Sequence, residues 1–381
     1  MKKNILIVII ILLFCVSCKF NLSSQYTYQQ PENINDGLKV GSLDEVDIGE
    51  KLILKAMNKI HQGKYMEVHS MLIFKDDRLV FEEYFKGHKY NFSGENHHGE
   101  LLTWDRTMMQ NTHSATKSIT SACIGIAIDK GFIESIEQSI FDFFPEHQHL
   151  NTNGKASIKI GHLLTMTSGL RWEEQNVPYS HPGNDLGILV GSENPTTYVL
   201  NRPLLYEPGK RFKYNGGGII LLGEIIKNAT KMNIDEFSGK YLFGPLGIDP
   251  YYWLYFKSGA ISASGDIHIT PRDMVKIGVL FLNKGVWNGK QIISEQWVDK
   301  SAITFVSNAR GRSGYSLAWW TLQYELRSGV RLNMFYAHGW GGQYIMVLPE
   351  LNSVIVFTGA NYLTVAPYFS ILERYILPAF N

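Results

Sequence analysis

The chain is short of cysteine, of net charge and of long apolar runs, and each shortage removes a class of answer. Three cysteines in 381 residues cannot build a disulfide framework. A formal net charge of +1, with no Lys/Arg block, leaves no electrostatic footprint for nucleic acid. The histidines at 97, 98, 147 and 149 lie in polar stretches without metal-ligand spacing, so no metal and no cofactor is expected. There is no internal repeat and no low-complexity tract. With 45% hydrophobic against 19% charged residues, the chain has ample material for a packed core and is not a disordered one.

The one long apolar run, Ile5 to Phe14 ("ILIVIIILLF"), is too short to span a bilayer comfortably. It follows Lys2 and Lys3 and ends in "CVSC", the layout of an export signal. It resembles a bacterial lipoprotein signal, which implies cleavage after Ser17 and acylation of Cys18. Cys15 stands where Leu is usual, a departure from that pattern; a plain secretory signal or an N-terminal anchor is the alternative. The expectation is a signal at 1–18, a polar tether at 19–45 and one folded domain at 46–381. That domain is exported to the cell envelope and held at a membrane by lipid. Cys123, among Ala122, Ile124 and Ala127, reads as a small buried apolar residue.

"EKLILKAMNKIHQG" predicts a helix. "VHSMLIFKDDRLVFEEYFKG" predicts two strands joined at Asp76-Asp77 as a hairpin. From about 118 to 300 the pattern is mainly helical. After 312 it turns strand-like again ("GYSLAWWTLQYEL", "VRLNMFYAHGW", "GQYIMVLPE", "SVIVFTGAN"), and "APYFSILERYILPAF" predicts a closing helix. Strands at both ends with helices between predict an α+β fold: one antiparallel sheet built from both termini, flanked by helices, with an inserted helical lobe.

Within "NTHSATKSIT", Ser114 and Lys117 are three residues apart. On a helix they share a face, so an ammonium at 117 reaches the Ser114 oxygen. A buried helix would desolvate Lys117 and depress its pKa, as would the positive helix N-terminus. A serine cap and a snorkelling lysine would give the same letters, so the pair needs its neighbours. They are "HLLTMTSGL" at 162–170, "YEPGKRFKYNGGGIILLG" at 206–223, "SGDIHITPRDMVKIGVLFLNKG" at 264–285 and "AHGWGGQYIMVLPELNSVIVFTG" at 337–359. In order and spacing these resemble the serine β-lactamase and penicillin-binding-protein superfamily over roughly residues 60 to 375. Its class C-like esterases, D-aminopeptidases and nylon-oligomer (6-aminohexanoate-dimer) hydrolases are the most similar.

The resemblance implies a β-lactamase/transpeptidase-like fold and a set of roles. Ser114 matches the acylated nucleophile, Lys117 its partner, and Tyr214 the tyrosine of the Y-x-N motif. A phenol near an ammonium can lose its proton, take the serine's and pass it to the leaving group. Gly341 matches the strand-borne N–H of the oxyanion hole, the other being that of Ser114. Two positions depart from the pattern. Gly216 stands at the Asn of Y-x-N, with Asn215 one place early, and His338 replaces the lysine of K-T-G. A largely neutral histidine there can bond a substrate carboxylate or steady Tyr214. Asp185 and Tyr179 fall in the loop that faces the cleft in the nylon-oligomer hydrolases, where Asp185 can hold a substrate amine. The implied function is a serine hydrolase acting through an acyl-enzyme on an ester, small amide or peptide. A non-turnover penicillin or cell-wall-peptide sensor and a true class C-like β-lactamase are the alternatives.

Overall fold

Asp76 and Asp77 both take left-handed backbone angles, φ 49° and 63°, as a two-residue type I′ hairpin requires. They join β1 (Val68–Lys75) to β2 (Arg78–Tyr84), with Lys75 opposite Arg78. The computed structural model describes residues 26–307, 313–326 and 329–380. The expected signal, Cys18 and the first part of the tether lie outside the described residues.

A separate two-stranded ribbon follows, β3 (Lys86–Tyr90) with β4 (His98–Thr103). The main sheet resumes late in the chain with β5 (Val306–Ser307), β6 (Ser313–Tyr315), β7 (Trp320–Glu325), β8 (Arg331–Gly339), β9 (Gln343–Leu348) and β10 (Ser353–Gly359). Eight strands lie in the order β5-β6-β7-β8-β9-β10-β1-β2. Every pairing is antiparallel, and the junction of the two termini is the β10–β1 ladder. The fold is α+β, a single large antiparallel sheet flanked by helices.

Both faces of the sheet are covered, which explains why its strands read as unbroken apolar runs. Leu72 and Phe74 of β1, Val354 and Val356 of β10, and Ile345 and Val347 of β9 face one core. Their alternates Met71, Ile73, Ile355, Phe357, Met346 and Leu348 face the other, as the two-residue strand period requires. Helix α1 (Glu50–His61) covers the second face through Ile53, Ala56, Met57 and Ile60, spaced for one helical stripe. The C-terminal segment joins it there as one continuous helical run, Tyr368–Ile371, Leu372–Ile376 and Leu377–Ala379 following without a break, as the pattern predicts.

The first face carries α2 (Thr116–Asp129), α3 (Gly216–Thr230) and α4 (Pro271–Leu282). Helices α2 and α3 pack on each other, whereas α4 lies directly against β9 and β10. At Gly278 a Cβ would fall 2.4 Å from Val354 Cγ1, so only glycine permits that approach. Helix α2 is buried from Thr116 to Ala127, and its Gly125 admits the Trp297 ring, to which a Cβ would come within 2.6 Å. Cys123 is fully buried on α2, and burial pushes its thiol up, which removes it as a nucleophile.

Candidate active site

The turn before α2 is held under tension by its neighbours. His113 adopts φ 44°, an uncommon angle for a side chain with a Cβ. The Asn111 carbonyl oxygen of the side chain accepts from the His113 N–H at 2.8 Å, and Asn111 Nδ2 donates to Asp266 at 2.9 Å. His113 Nδ1 stands 3.6 Å from the same carboxylate. Burial opposes the Asp266 anion, but His113 and Asn111 outweigh it and hold the carboxyl at about 2. This anchored turn, His113–Ala115, presents Ser114 half-buried at the floor of a cleft.

At the second residue of α2, Lys117 is buried, and its Nζ donates to Ser114 Oγ at 3.0 Å and to the Ser264 carbonyl at 2.6 Å. Loss of water pulls its pKa down to about 8, against the raising fields of Glu174 and Asp266. Nζ also lies 5.0 Å from the centre of the Tyr214 ring. Burial pushes the Tyr214 phenol up, Glu174 adds to this, and a hydrogen bond with Ser114 offsets part of it. The resting protonation therefore differs from the sequence expectation of a phenol that loses its proton. Lys117 is the group that can be neutral near neutral pH and take the serine proton. Tyr214 stays a phenol and is suited to donate.

The end of β8 meets this turn edge-on. A Cβ at Gly339 would fall 2.1 Å from the Thr112 carbonyl oxygen, so the strand touches the backbone two residues before Ser114. Gly341 follows at φ 82° against the Tyr362 ring, where a Cβ would lie 2.3 Å from Cε1; angle and space both demand glycine. His338 lines the cleft and stacks on Tyr344 at 4.5 Å. Burial drops its pKa to about 4, so the ring is neutral at physiological pH. Tyr179 and Trp340 both line the cleft, their rings in tilted contact with centroids 5.7 Å apart, and burial pushes the Tyr179 phenol up. The cleft measures about 540 Å³.

Asp185 is elsewhere. Its Oδ1 accepts from Tyr198 at 2.7 Å and from Arg202 at 2.9 Å, and its Oδ2 from the Glu173 N–H at 2.7 Å. It lines a second cleft, and the structure does not bring it together with Ser114. Asn215 points away as well: its side-chain oxygen caps α3 by accepting from the Gly218 N–H at 2.9 Å, a standard N-cap.

Glu174 escaped the sequence reading. It is 2% exposed and lines the cleft. Its Oε2 accepts from Trp172 Nε1 and from the Gly216 N–H, each at 2.7 Å. Its Oε1 is buried with no partner among the described residues. A Cβ at Gly216 would meet the two carboxylate oxygens at 3.0 and 3.2 Å. The carboxylate thus occupies the space into which a side chain at 216 would grow. A glutamate in "RWEEQN" reads as a surface residue, and no local signal marks its burial.

Residues 64–364 match the family model described as Beta-lactamase. The chain belongs to that family. It is 23% identical over 265 residues to the 6-aminohexanoate-dimer hydrolase of Paenarthrobacter ureafaciens, covering 64% of each chain; the match spans less than two thirds of that relative. Among solved structures, a family VIII carboxylesterase is similar at TM-score 0.66 and 16% identity, over 87% of this chain and 97% of that one. The octameric penicillin-binding protein homologue from Pyrococcus abyssi is similar at TM-score 0.63 and 20% identity, over 87% and 78% of the two chains. These likenesses agree with the fold and family that the motif order implies.

Within this β-lactamase-family chain, Glu174 acts on Lys117 through its field. Its charge raises the lysine's pKa, so removing it lowers that pKa and frees the amine at lower pH. Glu174→Gln keeps an oxygen for the Gly216 N–H and should move the acid limb of the kcat/KM–pH profile to lower pH. An acid limb that stays in place in a folded variant would show that the field does not reach Lys117.

Proposed function

We propose that the protein is an exported serine hydrolase that turns over short esters or small amides through an acyl-enzyme. The observation that carries this reading is the buried Lys117 Nζ hydrogen-bonded to Ser114 Oγ beneath the cleft. Ser114 Oγ adds to the carbonyl carbon while Lys117 Nζ takes its proton. The carbonyl oxygen becomes an oxyanion between the Ser114 and Gly341 N–H groups. Collapse breaks the bond to the leaving group, which takes the Tyr214 proton; Lys117 returns a proton to Tyr214. Water then adds to the acyl-enzyme, its proton leaves by the same relay, and Ser114 is regenerated as the acid departs. The hydrolase and carboxylesterase named above support the reading. The aromatic walls of Tyr179 and Trp340 suit an apolar acyl group.

The test is labelling with a fluorophosphonate, mapped by peptide mass spectrometry, alongside steady-state hydrolysis of p-nitrophenyl butyrate. The expected result is one label on Ser114 and continuing turnover. Absence of label overturns the nucleophile, and a single burst without turnover replaces the hydrolase with an acylated sensor.

The anchored location is part of the proposal and rests on the leader sequence. Cys18→Ser should remove the lipid and shift the protein from the detergent-extractable membrane fraction to the soluble one, since no acyl chain remains to hold it. Unchanged fractionation would point instead to an uncleaved N-terminal helix.

A further inference from the structure

Two histidines with no metal spacing along the chain meet in space. His88 on β3 and His98 on β4 stand on adjacent strands of the ribbon, rings parallel within 2° and 4.5 Å apart. Glu67, just before β1, sends Oε1 to within 2.8 Å of His88 Nδ1, and its Oε2 accepts from the His88 N–H at 2.9 Å. Each of the three residues offers one ligand atom, and these atoms lie within 4.8 Å of one another. All three are half-buried, open enough for an ion to enter.

The surroundings are built like a ligand shell. His98 Nε2 is 2.9 Å from the Ala360 carbonyl, which fixes the proton on Nε2 and leaves Nδ1 as a lone pair. Behind the carboxylate, His69 is 1% exposed, stacked on Trp104 at 4.5 Å, with Nδ1 3.2 Å from Gln110 Oε1. Its Nε2 has no hydrogen-bond partner among the described residues and points at Glu67 Oε2 across 3.9 Å.

We propose that Glu67, His88 and His98 bind a first-row transition-metal dication, Zn²⁺ by ligand type, that ties the β3–β4 ribbon to the main sheet. Two imidazoles and one carboxylate suit Zn²⁺ or Co²⁺, whereas Ca²⁺ and Mg²⁺ prefer oxygen-only sets. Coordination in the imidazole planes requires the rings to turn out of their stack about Cβ–Cγ. His69 Nε2, 3.9 Å from Glu67 Oε2, offers a further imidazole nitrogen behind the carboxylate. The ribbon also shapes the cleft. His97, beside the ligand His98, lines it, and so does Tyr362, whose ring is 6.1 Å from that of His98. The site is independent of the Ser114 chemistry.

The experiment uses the full chain without a histidine tag, stripped with a chelator and titrated with Zn²⁺ and Co²⁺ against a chromophoric competitor. One ion per chain is expected, with Kd below about 1 µM. His88→Ala/His98→Ala should weaken binding by at least about a hundredfold, and the nearly isosteric Glu67→Gln by at least about tenfold. Retained fluorophosphonate labelling and circular dichroism exclude unfolding as the cause; if the double variant does not fold, Glu67→Gln decides. Zn²⁺ should slow backbone hydrogen exchange in residues 86–103 of the wild type and not of the variants. Wild-type affinity weaker than about 100 µM, or equal affinity in the folded variants, overturns the site as adventitious binding. Unchanged exchange overturns the tie between ribbon and sheet.

Discussion

Ser114→Ala removes fluorophosphonate labelling and lowers kcat/KM by on the order of ten-thousandfold or more, with the fold intact. Only a hydroxyl is lost, and it accepts one bond from Lys117, so nothing in the packing of α2 depends on it. Lys117→Ala and Tyr214→Phe each lower kcat by on the order of a hundredfold or more, the usual scale for general acid–base groups. Their losses do not multiply. Lys117 is the proton acceptor and Tyr214 the donor of one relay around Ser114 Oγ, so once either is gone the other has nothing to exchange with. The double variant should be little worse than the poorer single one. Turnover retained by folded Ser114→Ala sends the search to another nucleophile, and a double variant showing the full product of the two losses breaks the shared relay.

The second large effect concerns the substrates that the cleft refuses. p-Nitrophenyl butyrate should be turned over at least about tenfold more efficiently than nitrocefin or any penicillin. A β-lactam carries a carboxylate and a side-chain amide, which in β-lactamases are gripped by the K-T-G lysine and the Asn of Y-x-N. Here the first position is His338, held neutral by burial with a pKa of about 4. The second is Gly216, with the Glu174 carboxylate filling the space beside it. A fixed positive charge is missing, and an amide that both donates and accepts is replaced by a group that only accepts. Losing a charge-assisted hydrogen bond costs about 1.5–3 kcal/mol and a neutral one about 0.5–1.5 kcal/mol. Together these amount to on the order of tenfold to a thousandfold or more in kcat/KM. Short acyl esters need neither grip, only a nucleophile and an oxyanion hole. Nitrocefin hydrolysis that matches or exceeds ester hydrolysis would restore a β-lactamase. Rescue of nitrocefin hydrolysis in His338→Lys would support the missing charge as the cause.

Much of the architecture is legible along the chain because its signals are local. Asp76-Asp77 tolerates the left-handed angles of a two-residue turn, so the hairpin is visible in two letters and their apolar flanks. The strands after 312 are recognisable from β-branched and aromatic runs, and a sheet covered on both faces produces such runs without alternation. The C-terminal helix is legible too, since its apolar pattern is helical and it forms one run from Tyr368 to Ala379.

The family is legible in the order and spacing of four motifs, and those motifs together with a three-residue spacing made a contact between Lys117 and Ser114 the expectation. Both are statements about neighbours in the chain. Tertiary structure alone decided which charges are buried and what they face. Glu174 reads as one of two surface glutamates and is buried in the wall of the Ser114 cleft because Trp172 and the Gly216 N–H bond its oxygen. Asp185 reads as a cleft residue and turns to Arg202 instead. Tyr214 keeps its proton because burial and the Glu174 charge act on it together, and Glu67, His88 and His98 meet because β1 and the ribbon pack side by side. A proton's affinity and a ligand set depend on fields and distances between groups far apart in the chain, and no local pattern of residues encodes them.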